Sequence, residues 1–462
     1  MSSPTNNSRR RNLVSRGSFS HRYGHPQQPG LSSGRGGSTA SDQQPLLSPR
    51  HTSTLPTINS SANNVNGPYG PTWSSSARIT LFTTKMNLLL AFIPLGILSG
   101  ELNWPDYTTF FLNFFAIIPL AGLLGFATEE VALRCGQTIG GLVNATLGNA
   151  VELIVGIFAL KDGLIGVVQA SLLGSILSNL LLVTGFCFFL GGLCYNVQKF
   201  NATAAQTSAS LMALTVFAYL IPAAFVFQSP MGDDPNTTLR YVENLSRATA
   251  IILLLIYVCF LIFSLSTHNT IFNDDNNATP TNVIINNDHT STDREADEGE
   301  AVPKLNYAFA IVLLLIVTVM ISVCADYLVG SIEGLTTQFG LTQAFVGIIL
   351  LPIVGNAAEH YTAVLMAMKN KMNLAISVAI GSSMQASETN SIALLVTPAL
   401  VLLGWWWNQP LTLAFPPFMS VTIFVAVFVV NSLIMDGESN WIEGAMLLAA
   451  YCILAVAFFY VK

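Results

Sequence analysis

From Met86 onward, long apolar runs alternate with short polar joints. A helix needs about 20 mostly apolar residues to cross the hydrocarbon of a bilayer. Eleven runs are candidates: roughly 86–101, 107–127, 136–160, 164–190, 205–227, 246–266, 305–329, 338–367, 373–403, 411–431 and 441–460. The first is short and is either a span or an interfacial segment. Trp104, Trp405 to Trp407 and Trp441 fall at run ends, where aromatic belts sit. Residues 1–78 have no apolar periodicity and are rich in Ser, Gly, Asn, Pro and Arg. Such a segment cannot bury enough surface to offset its ordering entropy, so a disordered tail is expected. It has no apolar core and does not read as a signal peptide.

Composition narrows the class. Hydrophobic residues make up 52% and charged residues 10% of 462, against about 25% charge in a soluble domain. So few charges exclude a cytosolic enzyme, a nucleic-acid binder and a secreted disulfide scaffold. The expectation is an all-α polytopic membrane protein. The net charge of −6 hides an asymmetry. Residues 1–78 hold eight arginines and one acid, Asp42, so the remaining chain sums to −13. A basic tail suggests a cytosolic N-terminus. Counting crossings from there puts Arg134, Lys199, Lys369, Lys371 and the acidic loop 267–304 in the cytosol. The sequons at Asn236 and Asn244 then face the lumen. Asp42-Gln-Gln-Pro-Leu46-Leu47 has the spacing of an acidic dileucine sorting signal. The six cysteines lack metal-site spacing and read as small apolar packing residues.

An internal repeat carries the chemistry. Adding 207 maps Gly148-Asn149-Ala150-Val151-Glu152 onto Gly355-Asn356-Ala357-Ala358-Glu359, and Gly174-Ser175 onto Gly381-Ser382. Two motifs in one register imply a duplication. The unit is five spans, 107–266 and 305–460, with 86–101 as an extra. Five is odd, so the copies enter the membrane from opposite sides. Inverted repeats of this kind build secondary transporters, with the substrate site near the midplane.

Glu152 and Glu359 each fall deep within an apolar run. An acid there costs roughly 2.5–3.5 kcal/mol on insertion scales and is functional by default. Asn149 and Asn356 precede them by three residues. Gly148, Ala150, Gly355 and Ala357 let two helices approach closely. Paired carboxylates with neutral oxygens suit a hard divalent cation such as calcium. Without the cation, desolvation and like charge favour protonation. The pair is then loaded with one divalent cation or up to two protons, which is what antiport requires. Gln169, Ser171, Ser175, Ser178 and Asn179 follow in the first copy. Ser377, Ser382, Ser383 and Gln385 follow in the second. The matched pair Ser175 and Ser382 is the better candidate for the site, and the rest either line it or join helices. His360, whose counterpart is Leu153, either moves protons beside Glu359 or packs at a helix interface. Glu129 and Glu130 sit at a span end, where they either attract cations or are solvated.

At these motifs the sequence resembles the cation/proton exchanger family of the calcium/cation antiporter superfamily, closest to the vacuolar calcium/proton exchangers of fungi. The resemblance covers about residues 80–462. It implies eleven spans, a vacuolar membrane, uptake of cytosolic calcium driven by the proton gradient, and often manganese transport, with no resident cofactor. It also implies that Glu152 and Glu359 bind cation and proton, that Gln385 and the asparagines line the path, and that the loop at 267–304 is regulatory. One departure stands out. Ala386 to Ser391 intervenes where the family runs straight on, and the repeat offset changes from 207 to 213 by Val183-Thr184 and Val396-Thr397. On a continuous helix six extra residues turn the remainder by about 240° net, misaiming the downstream face. Glu388 also adds an acid nearby. The readings set beside calcium/proton exchange are a sodium-driven exchanger of the same superfamily, an intramembrane metallohydrolase and a passive cation channel.

Overall fold

Apolar helix faces in lipid leave the backbone no water to bond, so every N–H and C=O must be satisfied within the protein. The chain meets this almost entirely with helices. The computed structural model describes residues 71–82, 84–228, 235–268, 271, 303–379 and 388–461, all within one unit, 63–462. The dileucine motif, the acidic stretch 272–302, Ser382, Ser383, Gln385 and Ala386 lie outside the described residues. Among the described residues the only strands are Gln198–Lys199 and Glu438–Ser439. They pair antiparallel, with Gln198 opposite Ser439 and Lys199 opposite Glu438.

Among the described residues six helices are long and apolar enough to cross a membrane: Asp106–Ala132, Ile165–Cys194, Ala202–Val226, Thr237–Thr267, Tyr307–Phe339 and Trp441–Tyr460. Counting each of two bent pairs as one span raises this to eight, and Ile392–Trp406 and Pro417–Leu433 are shorter apolar helices. Several of the eleven runs divide into shorter helices. The run 136–160 divides into Gln137–Leu147 and Ala150–Lys161. The run 338–367 divides into Gln343–Gly355 and Ala357–Met368, bent by 63°. The run 86–101 is a 3-10 segment, Lys85–Ala91, followed by the helix Phe92–Glu101.

Helices Asp106–Ala132 and Tyr307–Gly330, the first of each repeat, pack side by side. Phe110, Ile117 and Leu124 are buried on the former and Ile321, Ala325 and Leu328 on the latter. Outward residues such as Ile252, Leu255, Leu315, Ile316 and Val319 are exposed. Apolar outer faces are what a bilayer, not water, stabilises. Trp104, Trp406 and Trp441 are exposed at helix ends. The cysteines are all free: Cys187 and Cys324 are in the core, while Cys194, Cys259 and Cys452 lie on the surface.

The duplication reaches down to backbone detail. Ala150–Lys161 and Ala357–Met368 differ by 207 at both ends. Further on, a π-helical turn at Ser178–Val183 matches one at Ile392–Val396. Thr184 Oγ1 donates to Asn179 O at 3.0 Å and Thr397 Oγ1 to Ile392 O at 2.9 Å, two bonds related by 213 residues. From Ile392 onward the downstream face therefore keeps the orientation of its counterpart in the first repeat. Tyr219 Oη, from the first repeat, donates to Ala393 O at 2.8 Å and fixes that turn.

Glu130 corrects a second expectation. It is neither solvated nor a cation lure but buried, 2% exposed. Its carboxylate accepts from Lys304 N at 2.9 Å and Leu305 N at 2.9 Å, and from Arg134 Nη1 at 3.4 Å. Arg134 Nη2 donates to Leu305 O. The end of the first repeat's opening helix thus grips the chain just before the second repeat begins. Glu130→Ala leaves two amides without their acceptor, while Arg134 keeps the carbonyls of residue 130 and Leu305. A buried donor left unmet costs about 1–3 kcal/mol, so a clear fall in the unfolding midpoint in detergent is expected.

Candidate functional site

Both Gly-Asn-Ala motifs lie at helix breaks, not within continuous helices as their apolar setting suggested. Asn149 has φ −98° and ψ 21°, and Asn356 has φ −101° and ψ 7°. Each is the N-cap residue of a new half-helix, and its carbonyl accepts the first bond of that helix. Leu153 N donates to Asn149 O at 3.1 Å, and His360 N donates to Asn356 O at 2.9 Å. Glu152 and Glu359 therefore occupy the third position of their half-helices, in the first turn. A helix N-terminus carries a partial positive charge that favours an anion. Discontinuous helices whose ends face a common site are a transporter device.

The two half-helices bring their acids together. Gly355, four residues before Glu359, lies directly against the Glu152 carboxylate. Glu152 lines a cavity of about 20 Å³ with Val151, Val155, Ser171, Leu172, Ser175, Leu351 and Gly355. A cavity needs roughly 10–15 Å³ to hold one water, so this one suits a single water or a cation stripped of its shell. Gly355, from the opposite repeat, forms its floor: a methyl group there would lie 2.7 Å from Glu152 Oε1. Across the junction, Glu359 Oε2 is buried with no hydrogen-bond partner among the described residues. An orphaned carboxylate oxygen is costly unless a proton or cation meets it.

Asn179, in the first repeat's π-helical turn, ties the second half-helix to this junction. Its Oδ1 accepts from Asn356 Nδ2 at 3.4 Å and lies 3.3 Å from His360 Nε2. Asn179 Nδ2 is buried without a partner among the described residues. From sequence Asn179 was one of several polar residues that either line the site or join helices. The signal that distinguishes it is the turn it sits on, which carries one residue more than an α-helical turn. Ser171 and Ser175 both reach the Glu152 cavity. Gln169, on the same helix, does not. Its Nε2 donates to Thr412 O at 2.9 Å and Ala414 O at 3.4 Å, and it lines a separate cavity with Phe415 and Pro416. Gly148 closes the helix before the first break, its N–H donating to Asn144 O at 2.8 Å. Asn149 is 3% exposed beside it. Ser382 and Gln385 lie outside the described residues.

A sequence model of the sodium/calcium exchanger protein family matches the chain twice, over residues 106–266 and 309–460. The chain belongs to that family. The exchanger family's unit is thus present in each of the two halves that the 207-residue offset relates. Among curated relatives, a vacuolar calcium ion transporter of Schizosaccharomyces pombe is 46% identical over 381 residues, 82% of this chain and 86% of that protein. A Ca(2+)/H(+) antiporter of Aphanothece halophytica is 44% identical, covering 80% of this chain and 95% of that one. Among solved structures, native YfkE superposes with a TM-score of 0.65 at 36% identity, covering 81% of this chain and 100% of that chain.

Proposed function

We propose that this exchanger moves calcium from the cytosol into the vacuole in return for lumenal protons, by alternating access at the Glu152–Glu359 pair. The observation that carries the reading is the pair itself: two acids in matched first turns of broken helices, with one oxygen of Glu359 unpartnered among the described residues. Such a pair holds a divalent cation when ionised and is neutral when protonated. The two loads exclude each other, so cargo in one direction requires the other cargo in return. Glu152 and Glu359 are the ligands, and Asn149, Asn356, Ser171 and Ser175 complete the polar wall. Asn179 orients Asn356 and His360. The relatives named above, a vacuolar calcium transporter and a calcium/proton antiporter, support this cargo and this membrane. The N-terminus faces the cytosol, and manganese is a second cargo.

Protein reconstituted in vesicles with an acid interior takes up calcium, and collapsing the pH gradient stops it. Because protons and calcium compete for the same carboxylates, acidifying the calcium side weakens the apparent calcium affinity. Titrating external pH at fixed gradient checks the sign: an affinity that improves on acidification overturns the shared site. The family's sodium/calcium members favour one runner-up, a sodium-driven exchanger. Uptake driven by a sodium gradient with no pH gradient decides for it.

A further inference from the structure

We propose that two repeat-related loops, 195–201 and 407–416, are latches at opposite ends of the bundle, and that Asn373 and Gln169 hold them closed in alternation. The inference rests on the exchange reading above and assigns positioning residues to it.

Each loop follows one of a matched pair of helices. The offset of 213 carries Gly191 to Gly404 and Gln198 to Leu411. At both glycines the missing side chain makes room for the loop. A methyl on Gly191 would collide with Gln198 Oε1, and one on Gly404 would lie 3.2 Å from Leu411 Cβ. Both loops fold inward: Gln198 is 1% and Leu413 0% exposed.

Each loop is then held by the other repeat. Asn201 N donates to Asn373 Oδ1 at 2.8 Å, and Gln198 Nε2 donates to Ala367 O at 2.8 Å, at the end of the Glu359 half-helix. The loop at 407–416 bonds Gln169 through Thr412 O, and Leu413 N donates to Ser246 Oγ at 3.0 Å. Gln169 and Asn373 stand on helices Ile165–Leu177 and Met372–Ala379, whose starts differ by 207. The two helices are thus related as the acids are, while Gln169 and Asn373 themselves, 204 residues apart, stand about one turn from equivalent places on them.

Their positions suit gates. Ile165–Cys194 has 30 residues, about 45 Å at 1.5 Å each. Gln169 lies near its start, and the loop 195–201 leaves its end. Ser171 and Ser175, which line the Glu152 cavity, follow Gln169 on that helix. Side-chain bonds of this type are worth about 1 kcal/mol each, weak enough to release once per cycle. Alternating access needs one end to open while the other stays closed, and cross-repeat latches in mirrored places provide it.

Two double variants test this, Asn201→Cys with Asn373→Cys and Gln169→Cys with Ala414→Cys. Both are made with Cys194, Cys259 and Cys452 changed to serine. Oxidation is expected to lower pH-driven calcium uptake at least about tenfold, as blocked gating does, with recovery on reduction. A static tie tolerates covalent fixing. Uptake unchanged in the crosslinked protein, or no crosslink under oxidant, overturns the proposal. Gln169→Met, which keeps the volume and removes the donor, changes maximal uptake and leaves half-saturating calcium within about twofold, since only binding groups set ground-state affinity. A larger calcium shift makes Gln169 a ligand and overturns its latch role. The unmodified protein separates the two readings: if it takes up no calcium, the exchange reading fails. The latches are then judged by labelling a single Asn201→Cys with an impermeant maleimide. Labelling that changes with proton or calcium concentration supports them, and constant labelling overturns them.

Discussion

Glu152→Gln and Glu359→Gln each reduce pH-driven calcium uptake to background, a loss of at least about a hundredfold, or 2.7 kcal/mol. Glutamine keeps the shape and hydrogen-bonding reach of the acid and removes the charge. A calcium ion held by the pair then faces one carboxylate, and the proton load loses one of its two titrating groups. Glu359→Gln also gives the orphaned oxygen position an amide, which needs no proton to be neutral, so the folded protein is at least as stable as the parent. That combination distinguishes a loss of cargo binding from a loss of fold. Vesicle uptake with expression checked by thermal unfolding reads both. Persistent uptake in both variants sinks the paired-acid mechanism.

Gly355→Ala is the second large effect, and a less obvious one. The added methyl would stand 2.7 Å from Glu152 Oε1, closer than real side-chain contacts allow. Something must shift, and the nearest movable group is the carboxylate that binds cargo. Gly355 ends the helix before the break with ordinary negative-φ backbone, so alanine brings no backbone strain there. The expected result is a protein with an unfolding midpoint near the parent's and calcium uptake at least about tenfold lower, because a misplacement near 1 Å is enough to cost that much. Gly125→Ala is the control: it lies within a helix, and its methyl meets nothing within 4 Å. Equal loss in both variants contradicts the floor assigned to Gly355.

Much of this was legible in the chain. The offset of 207 found the paired acids, and their burial in apolar runs marked them as functional. The break beside each acid was not found, although Gly-Asn is a helix-stopping pair. Those glycines read equally as small residues for close helix packing, and Gly355 serves that purpose too. The bend in the second copy is hidden for a related reason. Hydropathy registers apolar length and does not register a bend, so Gln343–Gly355 and Ala357–Met368 merge into one run. Gln169 was assigned to the site because it is an amide in an apolar helix. Only the fold places it six residues and nearly two turns from Ser175, facing a loop more than 240 residues away in sequence. The six-residue insertion looked damaging because a continuous helix has no means to absorb it. The matched burial and matched threonine bonds beyond Ile392 put its effects upstream of that point.

The grip of Glu130 on Lys304 and Leu305 has a partner at the far side of the same connection, where Asn201 Nδ2 donates to Ile271 O at 2.8 Å. Ile271 and Lys304, described residues on either side of 272–302, are therefore both held as fixed posts. Lengthening a tethered connection is cheap, about 0.6 kcal/mol for each doubling. A reporter protein spliced between the posts, or a nick that separates the halves into two polypeptides, leaves each half still moored to the other.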